Sequence, residues 1–399
     1  MTRAQTARQV KAGIYEVGAM DRDRRLFDEL IPLPDGTSYN AYLVQGSERT
    51  ALLDTVDPPK IDLLFEHLEQ LGVKDIDYVI SHHAEQDHSG GIPALLERYP
   101  GAKVVTNAKG RAMLMDLLDL EEGVFVTVAD GEKLGLGDKT LQFMELPWVH
   151  WPETMASYLT EDRILFSCDF FGAHLASSTL FAGEGRAVYE AAQRYYAEIM
   201  MPFRGQITKN LEKIKDLPIE IIAPSHGPIY DNPRFILEAY RDWVSDKVKN
   251  EVVLAYVSMH GSTKKMAEYL AEALIKRRIT VKQFNLAELD LGKLAMGIVD
   301  AATLVMGVPT VLTGAHPRAA YAALVVNALR PKTKFVALIG SYGWAGKMVE
   351  ELTGLFTRLK VELLEPVLAR GYPREADFAA LDRLADAVLA KHQEIGIAR

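Results

Sequence analysis

The residues best equipped for chemistry lie in one run of six, His83-Ala84-Glu85-Gln86-Asp87-His88. Four of the six side chains can bind a metal ion. The run follows directly on an apolar stretch, 78–81, that reads as a strand, so its side chains project from a strand end. Three isolated residues repeat that local arrangement. His150 closes Pro147-Trp148-Val149-His150, Asp169 closes Leu165-Phe166-Ser167-Cys168-Asp169, and His226 follows Ala223-Pro224-Ser225. Together the seven supply four imidazoles and three carboxylates. That is too many for one tetrahedral ion and suits two ions that share a carboxylate. A lone histidine is more often a hydrogen-bonded structural residue. A dense loop followed by three strand-end ligands is not explained that way.

A second constellation is Ser258-Met259-His260-Gly261-Ser262-Thr263, between a strand expected over 252–257 and a helix. Hydroxyls and a glycine at such a turn present backbone N–H groups and a helix N-terminus to a phosphate dianion. Serine and threonine also cap helices that bind nothing. The segment lacks the Walker pattern and the dinucleotide Gly-x-Gly-x-x-Gly. Two further loops strengthen the reading: Pro309-Thr310-Val311-Leu312-Thr313-Gly314 and Ser341-Tyr342-Gly343-Trp344-Ala345-Gly346. Glycines let backbone approach a flat ring, and Tyr342 and Trp344 can pack beside it. Loops at the carboxyl ends of one parallel sheet are where such folds bind ligands.

The elements that must position these groups change style near residue 250. Before it, short apolar runs alternate with turn signals at 14–17, 39–44, 50–54, 78–81, 103–106, 141–146, 163–167 and 220–223, with a helix at 60–71. Many short strands with few helices imply a sheet-on-sheet core with helices outside. Residues 232–250 carry apolar side chains at helical spacing and read as a connecting helix. After it, strands at 252–257, 280–285, 302–308, 335–340 and 361–367 alternate with helices at 264–277, 317–328, 346–359 and 375–395. That rhythm defines a doubly wound parallel sheet. The expected domains are 1–249 and 250–399.

Length agrees with two domains, since 399 residues exceed the roughly 250–300 at which one core stops growing. The net charge of −9 argues against nucleic acid or an anionic membrane surface as partner. One cysteine, Cys168, leaves no disulfide within the chain and too few thiolates for a zinc–cysteine site or an iron–sulfur cluster. This suits a reducing cytoplasm. Residues 1–13 lack the apolar core of a secretory signal. No stretch reaches the roughly 20 apolar residues of a membrane span.

The ordered metal set resembles the metallo-β-lactamase fold, an αββα sandwich whose usual loop is His-x-His-x-Asp-His. Glu85 stands at the second histidine. A carboxylate is harder and more anionic than imidazole and favours iron over zinc. His-x-Glu-x-Asp-His, joined to a flavodoxin-like half, resembles the flavodiiron proteins (A-type flavoproteins), and the resemblance runs from Ile14 to about Ile395. It implies an α+β sandwich followed by an α/β flavodoxin-like domain, with FMN and two irons as cofactors. His83, Glu85 and His150 would then hold one iron, Asp87, His88 and His226 the other, with Asp169 bridging. The three loops of the second half would cradle FMN. The implied activity is reduction of a small diatomic gas, dioxygen to water by four electrons or nitric oxide to nitrous oxide by two. The implied donor is rubredoxin or a flavin reductase, and the implied assembly a head-to-tail homodimer, or a tetramer.

This chain departs from the family pattern in places. Phe27 is followed by Asp28 where members often carry histidine, and Leu312 and Thr313 stand where asparagines are common. Tyr195, Tyr196 and His174 are candidates for the layer behind the ligands, and His260 and His316 sit in flavin loops. His67 and His392 lie on helices and read as surface. His82 is expected to point away from His83, and Cys168 reads as a small buried residue. Two other functions remain open on residues alone: a zinc or mixed-metal hydrolase with an appended flavodoxin domain, and a flavodoxin-type carrier with a merely structural metal domain.

Overall fold

A computed structural model describes residues 5–288, 290–344 and 346–399. The described residues form two compact units. One runs to Tyr196 and resumes over Phe203–Val244; the other holds Ala197–Pro202 and Ser245–Arg399.

The first unit is built on two sheets. One has the strand order Arg8–Lys11, Ile14–Glu16, Tyr42–Gln45, Thr50–Leu53, Tyr78–Ile80, Lys103–Thr106, Phe125–Thr127. The other runs Lys133–Gly135, Thr140–Glu145, Met155–Leu159, Ile164–Cys168, Ile221–Pro224. Strand alternation sorts the first sheet into two faces. Leu43, Leu52, Val79 and Val104 align across neighbouring strands and face a core shared with Leu64, Leu68, Ile92, Leu95 and Leu114 of three helices. One residue along, Tyr42, Leu53, Ile80 and Val105 align and face Leu141, Phe143, Leu159, Phe166 and Ala223 of the second sheet. The strands Met155–Leu159 and Ile164–Cys168 are buried at every position, so the second sheet is also covered on its far side. Helices Arg186–Tyr195, Arg204–Ile214 and Pro233–Val244 belong to this unit.

The second unit has a sheet in the order Thr280–Asn285, Lys249–Tyr256, Ala301–Val311, Phe335–Tyr342, Glu362–Leu363, all parallel. Its first two strands in sequence are transposed in space, which creates a crevice between Lys249–Tyr256 and Ala301–Val311 at their carboxyl ends. Helices Ser262–Lys276 and Glu375–Glu394 cover one face through Met266, Leu270, Leu274, Leu381, Leu384 and Val388.

Several elements differ from the sequence reading. The expected strand 361–367 is two strands, Glu362–Leu363 and Val367–Arg370, because Pro366 has no N–H to give the ladder. The connecting helix stops at Val244, and Lys249 already belongs to the next strand. The expected helix 346–359 is Met348–Leu355. Strand Met155–Leu159 and helices Ala108–Leu118, Arg186–Tyr195, Arg204–Ile214 and Leu291–Ile298 stand where the sequence reading placed no element. His67 and His392 are buried, not surface, with 2% and 0% exposure. His67 lies between Leu64 and Leu68 on the buried side of its helix and hydrogen-bonds Val17 O at 2.9 Å.

Candidate metal centre

The seven metal candidates reach one place because the strands that precede them end there. His83 follows Tyr78–Ile80, Asp169 follows Ile164–Cys168, and His226 follows Ile221–Pro224, while His150 lies in the loop between Thr140–Glu145 and Met155–Leu159. Just before Asp169 the pairing of Ile164–Cys168 with its neighbour shifts, between Phe166 and Cys168, and Cys168 takes a φ of 51°.

The site has two halves joined by Asp169. In one, Glu85 Oε2 lies 3.1 Å from both His83 Nε2 and His150 Nε2. Asp169 Oδ2 lies 3.1 Å from His150 Nε2 and 3.6 Å from His83 Nε2. In the other, Asp87 approaches His88 Nε2 at 3.3 Å and His226 Nε2 at 3.2 Å. Asp169 Oδ1 lies 3.1 Å from His88 Nε2 and 3.2 Å from His226 Nε2. The two oxygens of one carboxylate thus serve different halves.

These spacings fit metal coordination. Ligands about 2.1 Å from an ion lie roughly 3.0–3.4 Å apart along the edges of an octahedron or tetrahedron. Both oxygens of Asp87, Asp169 Oδ1 and both nitrogens of His88 are buried without a hydrogen bond of acceptable geometry. Such orphans are costly unless something else satisfies them. The far sides of two rings also fix their tautomers. His226 Nδ1 donates to Ser38 O at 2.6 Å, and His83 Nδ1 donates to Glu153 Oε1 at 2.6 Å. Each Nε2 then carries its lone pair toward the carboxylates, as a metal ligand must.

Electrostatics agree. Burial would depress the imidazoles, yet Asp169 and Asp87 raise His226 to about 10, and Asp169 and Glu85 raise His150 to about 9. Burial would raise Asp169, but His88, His150 and His226 hold it well below the usual carboxylate range. The pocket is an anionic cage that attracts positive charge, and two dications satisfy that demand better than protons.

His82 points elsewhere, with Nδ1 2.8 Å from Asp54 Oδ2 and Nε2 2.7 Å from Ser157 Oγ. His174 is buried, 2.9 Å from Thr37 Oγ1 through Nδ1, its ring 4.9 Å from His226 and 4.8 Å from Tyr195. Tyr195 therefore stands behind the His226 half. Tyr196 instead packs on Tyr240 and Trp243. Cys168 is buried, and burial with Asp54 and Asp169 nearby pushes its thiol up, so it stays protonated. A cavity of about 270 Å³ opens on Glu85, Asp87 and Trp151 and is also lined by Phe27, Asp28 and Tyr39. Burial, then Glu85 and Asp87, raises Asp28 above the ordinary carboxyl value.

In the second unit a cavity of about 160 Å³ is lined by Ser258, Met259, His260, Ser262, Thr263, Pro309, Thr310, Ser341, Tyr342 and Gly343. Gly371 joins them, a residue the sequence reading missed because a lone glycine after a short strand carries no signal. Gly261 holds a φ of 91° just before the helix, a conformation that favours glycine. Gly346 lines an adjoining cavity of about 370 Å³ with Thr310 and Met348. Val311, Leu312, Thr313, Gly314 and Trp344 do not line the first cavity, and Ala345 lies outside the described residues. Leu312 and Thr313 form the two-residue turn between Val311 and Gly314, both at positive φ, with Leu312 88% exposed. His316 caps the next helix by accepting from Arg318 N at 3.2 Å.

Fold and site together define a metallo-β-lactamase-like metal domain joined to a flavodoxin-like domain. Residues 37–227 match the family model described as ODP family beta lactamase, and 254–382 match that described as flavodoxin. The chain is 36% identical to a nitric oxide reductase of Moorella thermoacetica, covering 88% of this chain and 90% of that one. It is 35% identical to a coenzyme F420H(2) oxidase of Methanothermobacter marburgensis, covering 85% and 87%. It superposes on the solved rubredoxin oxygen:oxidoreductase of Desulfovibrio gigas with a TM-score of 0.91 and 32% identity, over 96% and 99% of the chains. The chain belongs to the flavodiiron protein family.

Proposed function

We propose that this protein passes electrons from a redox partner through FMN to a diiron centre and reduces dioxygen to water, nitric oxide to nitrous oxide, or both. The observation that carries the reading is Glu85, a carboxylate 3.1 Å from two imidazoles in a half-site that a zinc hydrolase would fill with a third histidine. The hydrolase alternative falls with that ligand set and with membership of the flavodiiron family.

His83, Glu85 and His150 would hold one iron and Asp87, His88 and His226 the other, with Asp169 bridging. Ser258–Thr263 would take the FMN phosphate, and the loops at 309–314 and 341–346 its ring. When bound, the irons and FMN supply one- and two-electron steps that sum to the four of dioxygen reduction or cover the two of nitric oxide coupling. The chain's residues do the rest. Asp169 fixes the spacing of the halves, Ser38 O and Glu153 orient His226 and His83, and Phe27, Tyr39 and Trp151 narrow the approach to a small gas. Metal chemistry is assigned to 1–249 and flavin chemistry to 250–399.

No described helix is long and apolar enough to cross a membrane. A cytoplasmic setting, rubredoxin or a flavin reductase as donor, and a head-to-tail homodimer (or a tetramer built from it) complete the proposal. Exposed apolar side chains near each pocket support the pairing of copies: Leu26, Leu30 and Leu117 in one unit, Met259, Leu312 and Trp344 in the other. The test is anaerobic stopped-flow of the reduced protein against each gas, with iron and FMN quantified beforehand. Rapid reoxidation is expected, and Asp169→Ala should lose it by at least about a hundredfold while keeping FMN. Full turnover by that variant sinks the assignment.

A further inference from the structure

The two halves of the centre differ in what stands behind their histidines. His83 Nδ1 is held at 2.6 Å by Glu153 Oε1, a carboxylate in a residue only 2% exposed. That oxygen also accepts from Ala84 N at 3.0 Å. Glu153 is itself anchored, since Asn107 Nδ2 donates to its backbone oxygen at 2.6 Å while Asn107 Oδ1 caps a helix by accepting from Gly110 N. In the other half His226 rests on a neutral carbonyl, Ser38 O, and His88 Nδ1 has no partner among the described residues.

A charge-assisted hydrogen bond is stronger than a neutral one and makes the imidazole behind which it stands a better donor to a metal. The His83–Glu85–His150 half thus has a carboxylate hydrogen-bonded directly behind a ligand, while among the described residues none is hydrogen-bonded behind His88 or His226. We infer that Glu153 is a positioning residue that makes the diiron centre unequal: the ion held by His83, Glu85 and His150 is bound more tightly, and the ion held by Asp87, His88 and His226 leaves first. This rests on the flavodiiron reading above. It also makes the strongly held ion the one whose oxidised, more highly charged state is favoured.

The experiment uses the full-length protein reconstituted with two equivalents of ⁵⁷Fe and dialysed stepwise against a chelator. Iron is followed by Mössbauer spectroscopy and FMN by absorbance. In the wild type, one quadrupole doublet should fade before the other. Glu153→Gln keeps the shape and the acceptor oxygen but removes the charge. In that variant the retained doublet should shift, its iron should leave about ten times faster or more, and the order of loss should collapse. Glu153→Asp, which keeps the charge, should restore the order. FMN content should be the same in all three, which excludes general unfolding. Equal loss of both doublets from the wild type, or unchanged retention in Glu153→Gln, overturns the inference. Zinc in both positions after iron-replete growth overturns the parent reading and this inference with it.

Discussion

His392 tests the second unit most sharply, because its helix position reads as surface while the folded chain buries it completely. Its ring is gripped on both sides. Asn250 Oδ1 can only accept, so His392 Nδ1 donates to it at 2.7 Å; Nε2 then accepts from the Thr303 hydroxyl at 2.8 Å. The ring is therefore neutral. Its place near a helix C-terminus favours the cation, but burial outweighs this and lowers its pKa to about 4. The unfolded imidazole titrates near 6.5. Between these values the unfolded chain takes a proton that the folded one refuses. The stabilising contribution is thus complete above about pH 6.5 and is lost as pH falls toward 4. At pH 5 the loss is about 1.5 units at 1.36 kcal/mol each, or about 2 kcal/mol, and solvent screening near the unit's surface trims it to about 1–2 kcal/mol. The assay is urea unfolding of the intact protein at pH 7.5 and 5.0, with FMN fluorescence reporting on this unit. His392→Gln is the comparison, since glutamine can donate to Asn250 and accept from Thr303 but cannot titrate. The stability difference between wild type and variant should move by about 1–2 kcal/mol against the wild type on acidification. A difference that stays constant refutes the reasoning, because all other titrating groups are common to both proteins.

Two other outcomes are expected. Glu85→His should shift metal content toward zinc several-fold when cells grow with both metals, read by elemental analysis; an unchanged iron-to-zinc ratio would mean that ligand hardness does not set selectivity here. Leu312→Asn should raise the melting stability of the second unit by roughly 1 kcal/mol, since asparagine tolerates the left-handed turn at φ 49° better than leucine. A neutral or lower melting point in calorimetry would show that Leu312 gains something in place, such as a contact with another copy.

The metal ligands were readable in order because His83, Asp169 and His226 come just after apolar strands and Glu85, Asp87 and His88 share the run that His83 opens, and strand ends in layered folds meet at one edge. The parallel sheet was readable because the apolar runs of its central strands, at 252–255, 301–308 and 335–339, alternate with helices. Composition alone set aside disulfides and cysteine-ligated clusters. The tertiary structure decided what the spacing of residues along the chain could not: that the two oxygens of Asp169 divide between halves, that Glu153 stands behind His83 from 70 residues away, and that Tyr195 but not Tyr196 faces the centre. It also decided burial for His67 and His392, which depends on the side of a helix that meets a sheet, and it decided the break at Pro366, which depends on the partner strand needing an N–H there. Side-chain type is written locally and survives any reading of the chain. Which groups share a hydrogen bond or a metal is a property of distances across the fold, and no local pattern carries it.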